Sequence, residues 1–454
     1  MDKNAFRSIP SIDNLLSDSR VIDLLGLLER EFLVQVIREI TDNTREEIQK
    51  GKTPPNRNEL IQVVVDTVNR EMEQWPSPVI NATGVVLHTN MGRAPLSEHA
   101  LISAKVASED YSDLELDLRD GKRGSRYSEI SNLLRRLTGC EDAIVVNNNA
   151  SAMFLGLAAI ARGKEVIVSR GEASEIGGGF RIPDVLVQSG AKLVEIGTVN
   201  RTYAEDYQLA ITSKTAAILV VHRSNFQVLG FTHEPQLSDI SQVGRDNNIP
   251  VLHDLGSGAL IDTAAYGLGH EPMPQESLAD GSDLVFFSGD KLLGGPQSGI
   301  VVGNKNLISK LKAHPLARAL RPEKLTLAAL HQTLLHYLQG EATQKIPVWK
   351  MISMPLEELD ERSRIAAEAI GPRAKVVDGF SAVGGGSLPT DQLPSKLISL
   401  SPSEHVKIEK TAEKIRKNTP HIIARIEDGN LIFDFRTVIP ENDKEIIEAI
   451  KRVL

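Results

Sequence analysis

The sequence predicts an α/β fold with a mostly parallel central sheet, preceded by a helical domain and followed by a small α+β domain. Three patterns predict it: helical hydrophobic spacing near the amino end, short apolar runs alternating with helical stretches in the middle, and helices around a hairpin near the carboxyl end. A chain of 454 residues is too long for one compact core. We therefore expect domains at residues 1–76, 77–340 and 341–454.

The first domain is predicted to be a small bundle of helices. Apolar residues recur at helical spacing from Val21 to Ile40 and again from Leu60 to Val68. A Gly-Lys-Thr-Pro-Pro-Asn segment at 51–56 interrupts this pattern, because glycine and proline end helices. Two or more helices are therefore expected here.

The second domain is predicted from seven apolar runs. They lack the alternation of a half-exposed strand, which indicates strands buried on both faces. The runs are Ala143–Val146, Glu165–Val168, Lys192–Ile196, Ala216–Val221, Pro250–Leu255, Asp283–Phe287 and Gly299–Val302. Because helical stretches separate these strands, a parallel sheet with right-handed crossovers is expected.

The last domain is predicted from two helices and two strands. Helical patterns cover Lys407–Lys417 and Asn442–Val453, and strand patterns cover Ile422–Glu427 and Leu431–Phe435. The Asp-Gly-Asn sequence between the two strands is a hairpin signal. A cluster of glycines at 384–386 is interpreted as a turn.

Composition argues against several classes of protein. The hydrophobic fraction of 41% and the charged fraction of 24% are ordinary for a globular protein, and no apolar run approaches the roughly 18 residues of a membrane span. Cys140 is the only cysteine, so no disulfide forms within the chain, and a cytoplasmic location without a signal peptide is expected. The net charge of −9 argues against a generic nucleic-acid coat protein but leaves room for a local basic site.

A lysine follows one of the predicted buried strands. Lys291 ends a Ser-Gly-Asp-Lys sequence after the strand at 283–287, where α/β proteins bind ligands at the carboxyl ends of their strands. Desolvation at such a place lowers the pKa of a lysine, and the neutral amine can form a Schiff base. The alternative is a strand-end lysine whose ammonium group reaches solvent.

Two more elements precede this lysine. Asp254 closes the strand at 250–255, 37 residues before Lys291, where a carboxylate can keep a pyridine nitrogen protonated. Further upstream, an Asn-Asn-Asn-Ala-Ser sequence at 147–151 joins a strand to a helix, and the free N–H groups of such a junction bind anions. Taken singly, the aspartate could be a turn residue and the asparagines could be helix caps.

Together the three elements resemble the pyridoxal phosphate enzymes of the aspartate aminotransferase fold. The resemblance implies an aspartate-aminotransferase-like fold, with pyridoxal 5′-phosphate bound covalently to Lys291 and its ring nitrogen held by Asp254. Asp290 would tune the lysine or act on the substrate hydroxyl group. The implied contacts to the cofactor phosphate are Asn149, Ala150, Ser151 and Ser288.

Three arginines and a histidine complete the candidate site. Arg93, Arg318 and Arg321 suit an oxyanion substrate, because a guanidinium group can donate two parallel hydrogen bonds to it. Arg318 and Arg321 would share one face if their segment is helical, although a structural ion-pair network fits their spacing equally well. His222 follows the strand at 216–221 and could contact the cofactor ring or its phenolic oxygen, or be a hydrogen-bonded strand-end histidine. No metal-ligand spacing is present.

Longer segments are similar to those of bacterial selenocysteine synthases, the L-seryl-tRNA(Sec) selenium transferases, over nearly the whole chain. The matching segments are 80–93, 121–127, 146–150, 175–184, 253–258, 288–295, 383–389 and 425–428. The resemblance implies conversion of seryl-tRNA(Sec) to selenocysteinyl-tRNA(Sec), by elimination of the serine hydroxyl group and addition of selenium from selenophosphate. Lys291 and Asp290 then fall at catalytic positions, and the three arginines fall at the selenophosphate-binding positions.

The same resemblance implies a homodecamer built from dimers, with active sites between subunits, and an N-terminal domain that binds the D-arm of the tRNA. Two features depart from this expectation. Residues 1–75 carry 10 basic and 14 acidic side chains, so this domain would read RNA by shape with few basic contacts. Val199 stands where the family usually has threonine at a contact between dimers, which makes the dimer a firmer expectation than the decamer.

A related pyridoxal phosphate lyase acting on a free amino acid or an amino sugar acid is the main alternative, because such enzymes share the lysine, the aspartate and the phosphate turn. A small substrate gives the N-terminal helices no task, which favours the transferase. A non-catalytic, cofactor-binding regulator is disfavoured, because the sequence contains no helix-turn-helix pattern with a basic face.

Overall fold

The computed structural model describes most of the chain, namely residues 6, 8–177, 179–403 and 406–454. Gly178 of the 175–184 segment lies outside these ranges, as do residues 1–5 and 7 of the first predicted domain. Contacts within the chain divide it into two units, Met1–Pro78 and Val79–Leu454.

The first unit is helical, as predicted. Its helices in the described ranges are α1 (Ile12–Leu16), α2 (Ser19–Asp23), α3 (Arg30–Gln49) and α4 (Arg57–Met72). The predicted helical period from Val21 to Ile40 is divided between α2 and α3 by a 3₁₀ turn at Leu24–Gly26. A capping box starts α4, because Asn56 Oδ1 accepts from Glu59 N–H at 3.0 Å and the Glu59 carboxylate accepts from Asn56 N–H at 2.7 Å. The buried core of this unit includes Leu15, Val21, Leu33, Ile37, Leu60, Ile61, Val64 and Val68.

The second unit combines strands and helices along the whole of its length. Its strands are β1 (Val79–Asn81), β2 (Val85–Leu87), β3 (Asp142–Val146), β4 (Glu165–Ser169), β5 (Glu175–Gly177), β6 (Phe180–Arg181), β7 (Lys192–Ile196), β8 (Thr215–Val221), β9 (Val251–Gly256), β10 (Leu284–Ser288), β11 (Gly299–Gly303), β12 (Ala374–Gly384), β13 (Gln392–Leu400), β14 (His421–Ile423), β15 (Arg425–Glu427) and β16 (Asn430–Asp434). Its helices are α5 (Glu98–Glu109), α6 (Ser128–Thr138), α7 (Asn149–Ala161), α8 (Ile182–Ser189), α9 (Ala204–Ala210), α10 (Leu237–Asn247), α11 (Pro274–Ala279), α12 (Lys305–Ala313), α13 (Pro315–Ala319), α14 (Lys324–Leu338), α15 (Ala342–Lys345), α16 (Pro347–Ser353), α17 (Leu356–Ile370), α18 (Ile408–Lys417) and α19 (Asp443–Val453).

The main sheet contains all seven predicted strands, each within one residue of its predicted ends. Its strand order is β3-β11-β10-β9-β8-β4-β7, and every neighbouring pair from β10 to β7 is parallel. Only β11 runs in the opposite direction, antiparallel to both β10 and β3. Every residue of β10 is buried, because Phe286 and Phe287 enter cores on opposite faces of the sheet. The prediction of a mostly parallel, doubly covered sheet is therefore confirmed.

The main sheet approaches helix α7 closely at one glycine. A Cβ atom on Gly156 would lie 2.8 Å from the ring of Phe286, closer than such contacts allow. Since α7 carries Asn149 at its first turn, this tight packing fixes the helix start relative to the strands.

A second, five-stranded sheet has the order β15-β16-β13-β12-β2 and is mostly antiparallel. The hairpin signal correctly located the turn between β15 and β16. The predicted single strand Ile422–Glu427 is wrong, because it breaks at Ala424 into β14, which pairs with β1, and β15. The sequence analysis also missed β12 and β13. Their side chains are only partly buried, so these strands lack a continuous apolar run.

Among the described helices, none combines the length and apolar character that crossing a bilayer requires.

Candidate active site

The carboxyl edge of the main sheet brings three predicted site residues together. Asp254 lies near the end of β9, Lys291 follows the end of β10, and Asn149 opens α7 after β3. Asn149 donates a hydrogen bond from Nδ2 to Oδ1 of Asp254 at 2.8 Å. Residues that are distant in sequence therefore meet because the strands before them point the same way.

Lys291 is buried, with 6% of its surface exposed. Burial lowers the pKa of its ammonium group, and the positive charge of Arg93 lowers it further, against the opposing charge of Asp254. Its Nζ donates a 3.4 Å hydrogen bond to the carbonyl oxygen of Gly386 and has no carboxylate within 4 Å in the described ranges. The alternative of a lysine that reaches solvent is wrong, and burial favours the neutral, nucleophilic amine.

A glycine turn that the sequence analysis interpreted only as a turn forms one wall of this site. Gly386 has a φ of +87°, and a Cβ atom there would lie 2.5 Å from Nζ of Lys291. Its carbonyl oxygen accepts hydrogen bonds from Lys291 and from the hydroxyl group of Ser387. Only glycine fits, because this position combines a left-handed backbone with contact to the lysine. The run of three glycines was the available signal.

Asp254 is buried, with 2% of its surface exposed. Burial raises the pKa of its carboxyl group, whereas the hydrogen bond from Asn149 and the charge of Lys291 lower it. No cationic side chain pairs with this carboxylate in the part of the chain that is described. Burying a carboxylate without a charged partner is costly, and a cationic or protonated group bound beside Asp254 would offset this cost.

The asparagine turn serves two purposes at the start of α7. Asn148 is the cap, since its Oδ1 accepts a hydrogen bond from Ser151 N–H at 2.9 Å. Asn149 instead directs its amide group at Asp254, and its Oδ1 is buried without a partner among the described residues. The backbone N–H groups of Asn149 and Ala150 have no acceptor in the described protein. Free N–H groups at a helix start attract an anion.

His222 and Ser288 lie at the same edge of the sheet. Ser288 is the last residue of β10 and is 5% exposed. His222 follows β8, and its backbone N–H donates to the carbonyl oxygen of Asp254 at 2.8 Å. The imidazole Nε2 lies 3.5 Å from Oε2 of Glu271, a buried residue that the sequence analysis missed. Glu271 belongs to no recognised motif, so only the fold could bring it here.

Arg93 forms an ion pair with Asp290, the residue that precedes Lys291 in the chain. Nη1 of Arg93 donates to Oδ2 of Asp290 at 2.9 Å, and the Asp290 side chain is 9% exposed. Ala94 N–H also donates to the Asp290 carbonyl oxygen, at 3.3 Å. Arg93 has a φ of 63°, a left-handed conformation that a residue other than glycine adopts only with support from its surroundings. Asp290 therefore holds an arginine that was predicted to bind substrate.

The condition for a shared face of Arg318 and Arg321 is not met. Helix α13 ends at Ala319, two residues before Arg321. Arg321 Nη1 lies 3.6 Å from Oε1 of Glu115, which supports the ion-pair alternative for this residue. The backbone carbonyl oxygen of Leu320 accepts a hydrogen bond from Asn147 N–H at 3.0 Å, which connects this segment to the asparagine turn. Arg318 is exposed and has no ion-pair partner among the residues that the structure describes.

Known protein families match both parts of the chain. The model for L-seryl-tRNA selenium transferase matches residues 79–439, and the model for the selenocysteine synthase N terminal region matches residues 6–45. The L-seryl-tRNA(Sec) selenium transferase of Carboxydothermus hydrogenoformans is 44% identical over 457 residues, covering 99% of this chain and 97% of its own. The proteins of that name from Alkaliphilus oremlandii and Moorella thermoacetica are 44% and 42% identical, covering 99% and 100% of this chain and 98% and 97% of their own.

A solved structure is similar in fold. The structure of D-glucosaminate-6-phosphate ammonia-lyase superimposes with a TM-score of 0.59, covering 83% of this chain and 95% of that chain at 22% sequence identity. This likeness confirms the predicted aspartate-aminotransferase-like fold. The family model over residues 79–439 and the relatives that are 42–44% identical over nearly the whole chain identify its family. The chain belongs to the L-seryl-tRNA selenium transferase family.

Proposed function

We propose that this protein converts seryl-tRNA(Sec) to selenocysteinyl-tRNA(Sec) in the cytoplasm, with pyridoxal 5′-phosphate as cofactor and selenophosphate as selenium donor. One observation carries the proposal: the buried residues Lys291 and Asp254, with Asn149 hydrogen-bonded to Asp254, lie at the strand edge of a chain that matches the transferase family over residues 79–439. Relatives with this activity in their names align with the full length of the chain.

The residues at the strand edge fit pyridoxal 5′-phosphate in three respects. Lys291 is a buried amine with a lowered pKa, which suits covalent binding to the cofactor carbonyl group. Asp254 is a buried carboxylate without a cationic partner in the described ranges, which suits a protonated ring nitrogen. The unpaired N–H groups of Asn149 and Ala150 suit the phosphate group.

When bound, the cofactor supplies an electron sink that makes the Cα proton of an attached serine acidic. Lys291 would hold the cofactor through Nζ, and its amine, when free, would be the base that takes the Cα proton of the substrate. Burial would assist this step, because it lowers the pKa of the amine and so favours its neutral form. Asp254 holds the proton on the ring nitrogen, and Asn149 holds Asp254 in place.

The phosphate is held by the first turn of α7 and by the end of β10. Asn149 and Ala150 donate their backbone N–H groups. Ser151 acts through its hydroxyl group, since its N–H is already bound to Asn148. Ser288 adds a second hydroxyl group from the strand edge. His222, which follows β8, would contact the ring or its phenolic oxygen.

Selenophosphate is an oxyanion, and it is bound by Arg93, Arg318 and Arg321. Positioning by these side chains lowers the entropic cost of bringing selenium to the β-carbon. The serine hydroxyl group would leave with a proton as water. Selenium would then form a bond to the β-carbon and Cα would regain a proton, while a water molecule takes the phosphoryl group as the selenium–phosphorus bond breaks and inorganic phosphate is released. Asp290 is our candidate donor of the proton that leaves with the hydroxyl group. Its carboxylate pairs with Arg93 at 2.9 Å, so an anion that draws Arg93 away would also free the Asp290 side chain to face the substrate.

The tRNA is bound by residues 1–76. These helices serve no step of the cofactor chemistry, and a polynucleotide substrate gives them a role. Removal of residues 1–76 is expected to leave cofactor binding intact and to abolish tRNA retention in a filter-binding assay. Retention at the wild-type level would locate the RNA site in the second unit.

Two groups of exposed apolar side chains support assembly into a homodimer and, further, a homodecamer. Exposed apolar patches of this kind mark protein contacts. The first group, on and after α5, is Leu101, Ile102, Val106, Tyr111, Leu116 and Leu118; the second is Val199, Leu229 and Phe231. A decamer built from dimers needs two different contacts, and Val199 belongs to the second. Sedimentation velocity measures the assembly, and a monomer would contradict this part of the proposal.

A product analysis tests the reaction. The purified holoenzyme is incubated with seryl-tRNA(Sec), with and without selenophosphate, and the aminoacyl group is released and identified by mass spectrometry. We expect a dehydroalanyl group without selenophosphate and a selenocysteinyl group with it. An unchanged seryl group in both incubations, together with turnover of a free amino acid, would replace the transferase with the lyase alternative.

A further inference from the structure

Glu271 has no part in the chemistry described above, yet it is buried beside the candidate site. Only 2% of its surface is exposed. Its Oε2 lies 3.5 Å from Nε2 of His222, and its Oε1 is buried without a hydrogen-bond partner among the described residues. A buried carboxylate is costly unless another group compensates for lost hydration. The burial of the Glu271 carboxylate beside the imidazole therefore indicates a role that involves His222.

The loop that carries Glu271 is fixed before and after it. The His270 ring contacts Asp262 through Nδ1 at 2.9 Å and Glu276 through Nε2 at 3.1 Å. The backbone N–H of Glu271 donates to the hydroxyl group of Thr263 at 3.0 Å. These bonds join the segments on either side of the loop and hold the backbone that carries the buried Glu271 side chain.

His222 is fixed from its backbone at the strand edge. Its N–H bonds the carbonyl oxygen of Asp254 at 2.8 Å, which places the imidazole beside the carboxylate proposed to hold the cofactor ring. A carboxylate oxygen that faces a ring nitrogen serves as its hydrogen-bond acceptor, so Nε2, which faces Glu271 at 3.5 Å, would be the ring nitrogen that carries hydrogen. The other ring nitrogen, Nδ1, is then available to the site. A carboxylate behind a histidine orients functional histidines in the same way elsewhere.

We propose that Glu271 is a positioning residue that fixes the ring orientation and tautomer of His222, and so presents Nδ1 of His222 to bound pyridoxal phosphate. This inference rests on the cofactor site of the proposed function and extends it to a residue behind that site. Glu271 itself touches neither substrate nor cofactor. Its effect passes through His222, and removing His222 must therefore cancel it.

Three substitutions at Glu271 distinguish the effect of side-chain length from the effect of charge. Glu271→Gln keeps an acceptor at the same reach and is expected to bind pyridoxal phosphate within about threefold of wild type, since a neutral hydrogen bond retains part of the charged one. Glu271→Asp keeps the charge but shortens the side chain, and Glu271→Leu removes the acceptor. Both are expected to raise the dissociation constant about tenfold, the scale of a lost hydrogen bond to a charged group. Equilibrium dialysis of the holoenzyme measures the constant, and visible circular dichroism reports the cofactor orientation.

A charge-only role gives the opposite order, with Glu271→Asp like wild type and Glu271→Gln defective, and that result would overturn the proposal. Glu271→Asp carries the test if Glu271→Leu does not fold. Glu234 and Glu271 both line one cavity of about 500 Å³, but Glu234 pairs with Arg223. Glu234→Gln is therefore the matched control and should change neither the dissociation constant nor the circular dichroism.

A double-mutant cycle tests the route through His222. In the His222→Asn background, Glu271→Asp is expected to add less than about twofold to the dissociation constant, because coupled residues are not additive. Full additivity would contradict the proposal and leave Glu271 a structural role. Cofactor affinity does not depend on tRNA or selenophosphate. The positioning role therefore stands or falls separately from the selenium transfer reaction.

Discussion

The two halves of the candidate site differ in how completely one chain forms them. In the cofactor half, Lys291, Asp254 and Asn149 are buried or hydrogen-bonded to each other in their proposed geometry. In the substrate half, Arg93 is paired with Asp290 and Arg321 with Glu115, while Arg318 is exposed.

This difference follows from the elements that carry the residues. The cofactor half lies at the edge of a parallel sheet whose packing leaves little freedom, so it is rigid before any ligand binds. The substrate half lies on loops and at a helix end, and two of its arginines, Arg93 and Arg321, use neighbouring carboxylates as partners. We infer that an oxyanion, or a second subunit, rearranges those ion pairs when the substrate half becomes complete.

The largest effect is expected from Lys291→Ala, which removes the reacting amine from the rigid half. Activity should fall by at least about a thousandfold, because both covalent attachment and proton transfer are lost. The visible absorption of covalently bound cofactor should disappear in the same preparation. Absorption like that of wild type would show that another amine holds the cofactor. Lys350→Ala, a lysine on the exposed side of α16, is the matched control.

A smaller effect is expected from Asp254→Asn, which keeps the size of the side chain but removes its charge. The turnover number should fall about a hundredfold, the scale found when one preorganised electrostatic contact is lost, while the cofactor stays attached. Single-turnover formation of the dehydroalanyl group measures the change. Asp246→Asn, on the exposed face of α10, should have wild-type activity. A turnover number within threefold of wild type would refute the role of Asp254.

The comparison between the halves is sharpened by Arg318→Ala and Arg321→Ala. Each is expected to raise the KM for selenophosphate about tenfold, because a charge-assisted contact to an oxyanion is lost. The elimination step, assayed without selenophosphate, should change less than about twofold if the two halves act separately. Arg364→Ala, an exposed arginine of α17 paired with Asp360, is the control. Equal losses in both assays would show that the halves are coupled.

The smallest expected effect is a pH dependence of folding stability, which arises from a buried glutamate near the strand edge. Glu172, just after β4, accepts from Val221 N–H at 2.8 Å, and burial raises the pKa of its carboxyl group from 4.5 to about 8. The folded state therefore holds this proton more tightly than the unfolded state, and the stability it contributes is lost as the pH rises from about 4.5 through about 8.

Glu172→Gln cannot titrate, so its melting temperature should decline less over this pH range, by a few degrees. Thermal melts of the wild type and the variant at about pH 5.5, 7 and 8.5 measure the difference. Parallel profiles would show that Glu172 does not carry the pH dependence. Glu165→Gln, at a partly exposed residue that begins β4, is the control.

The sequence was a reliable guide where local pattern and burial agree. Continuous apolar runs gave the strands of the main sheet, and the residues that follow those runs gave Lys291 and Asp254. It failed where contacts come from distant segments. Strands β12 and β13 lack an apolar run, because one face of each is partly exposed and pairing stabilises them. Gly386 and Glu271 were missed as site residues because their roles depend on which segments face them after folding.

The sequence alone determined the seven strands of the main sheet and their order along the chain, the identity of the cofactor lysine and aspartate candidates, and the family to which the segments are similar. These depend on short-range periodicity and on residue types at strand ends. Tertiary structure alone decided that Asn149 binds Asp254, that Asp290 holds Arg93, and that Glu271 lies behind His222. Those contacts join segments far apart in the chain, and only packing of the sheet, its helices and its loops sets the distances between them.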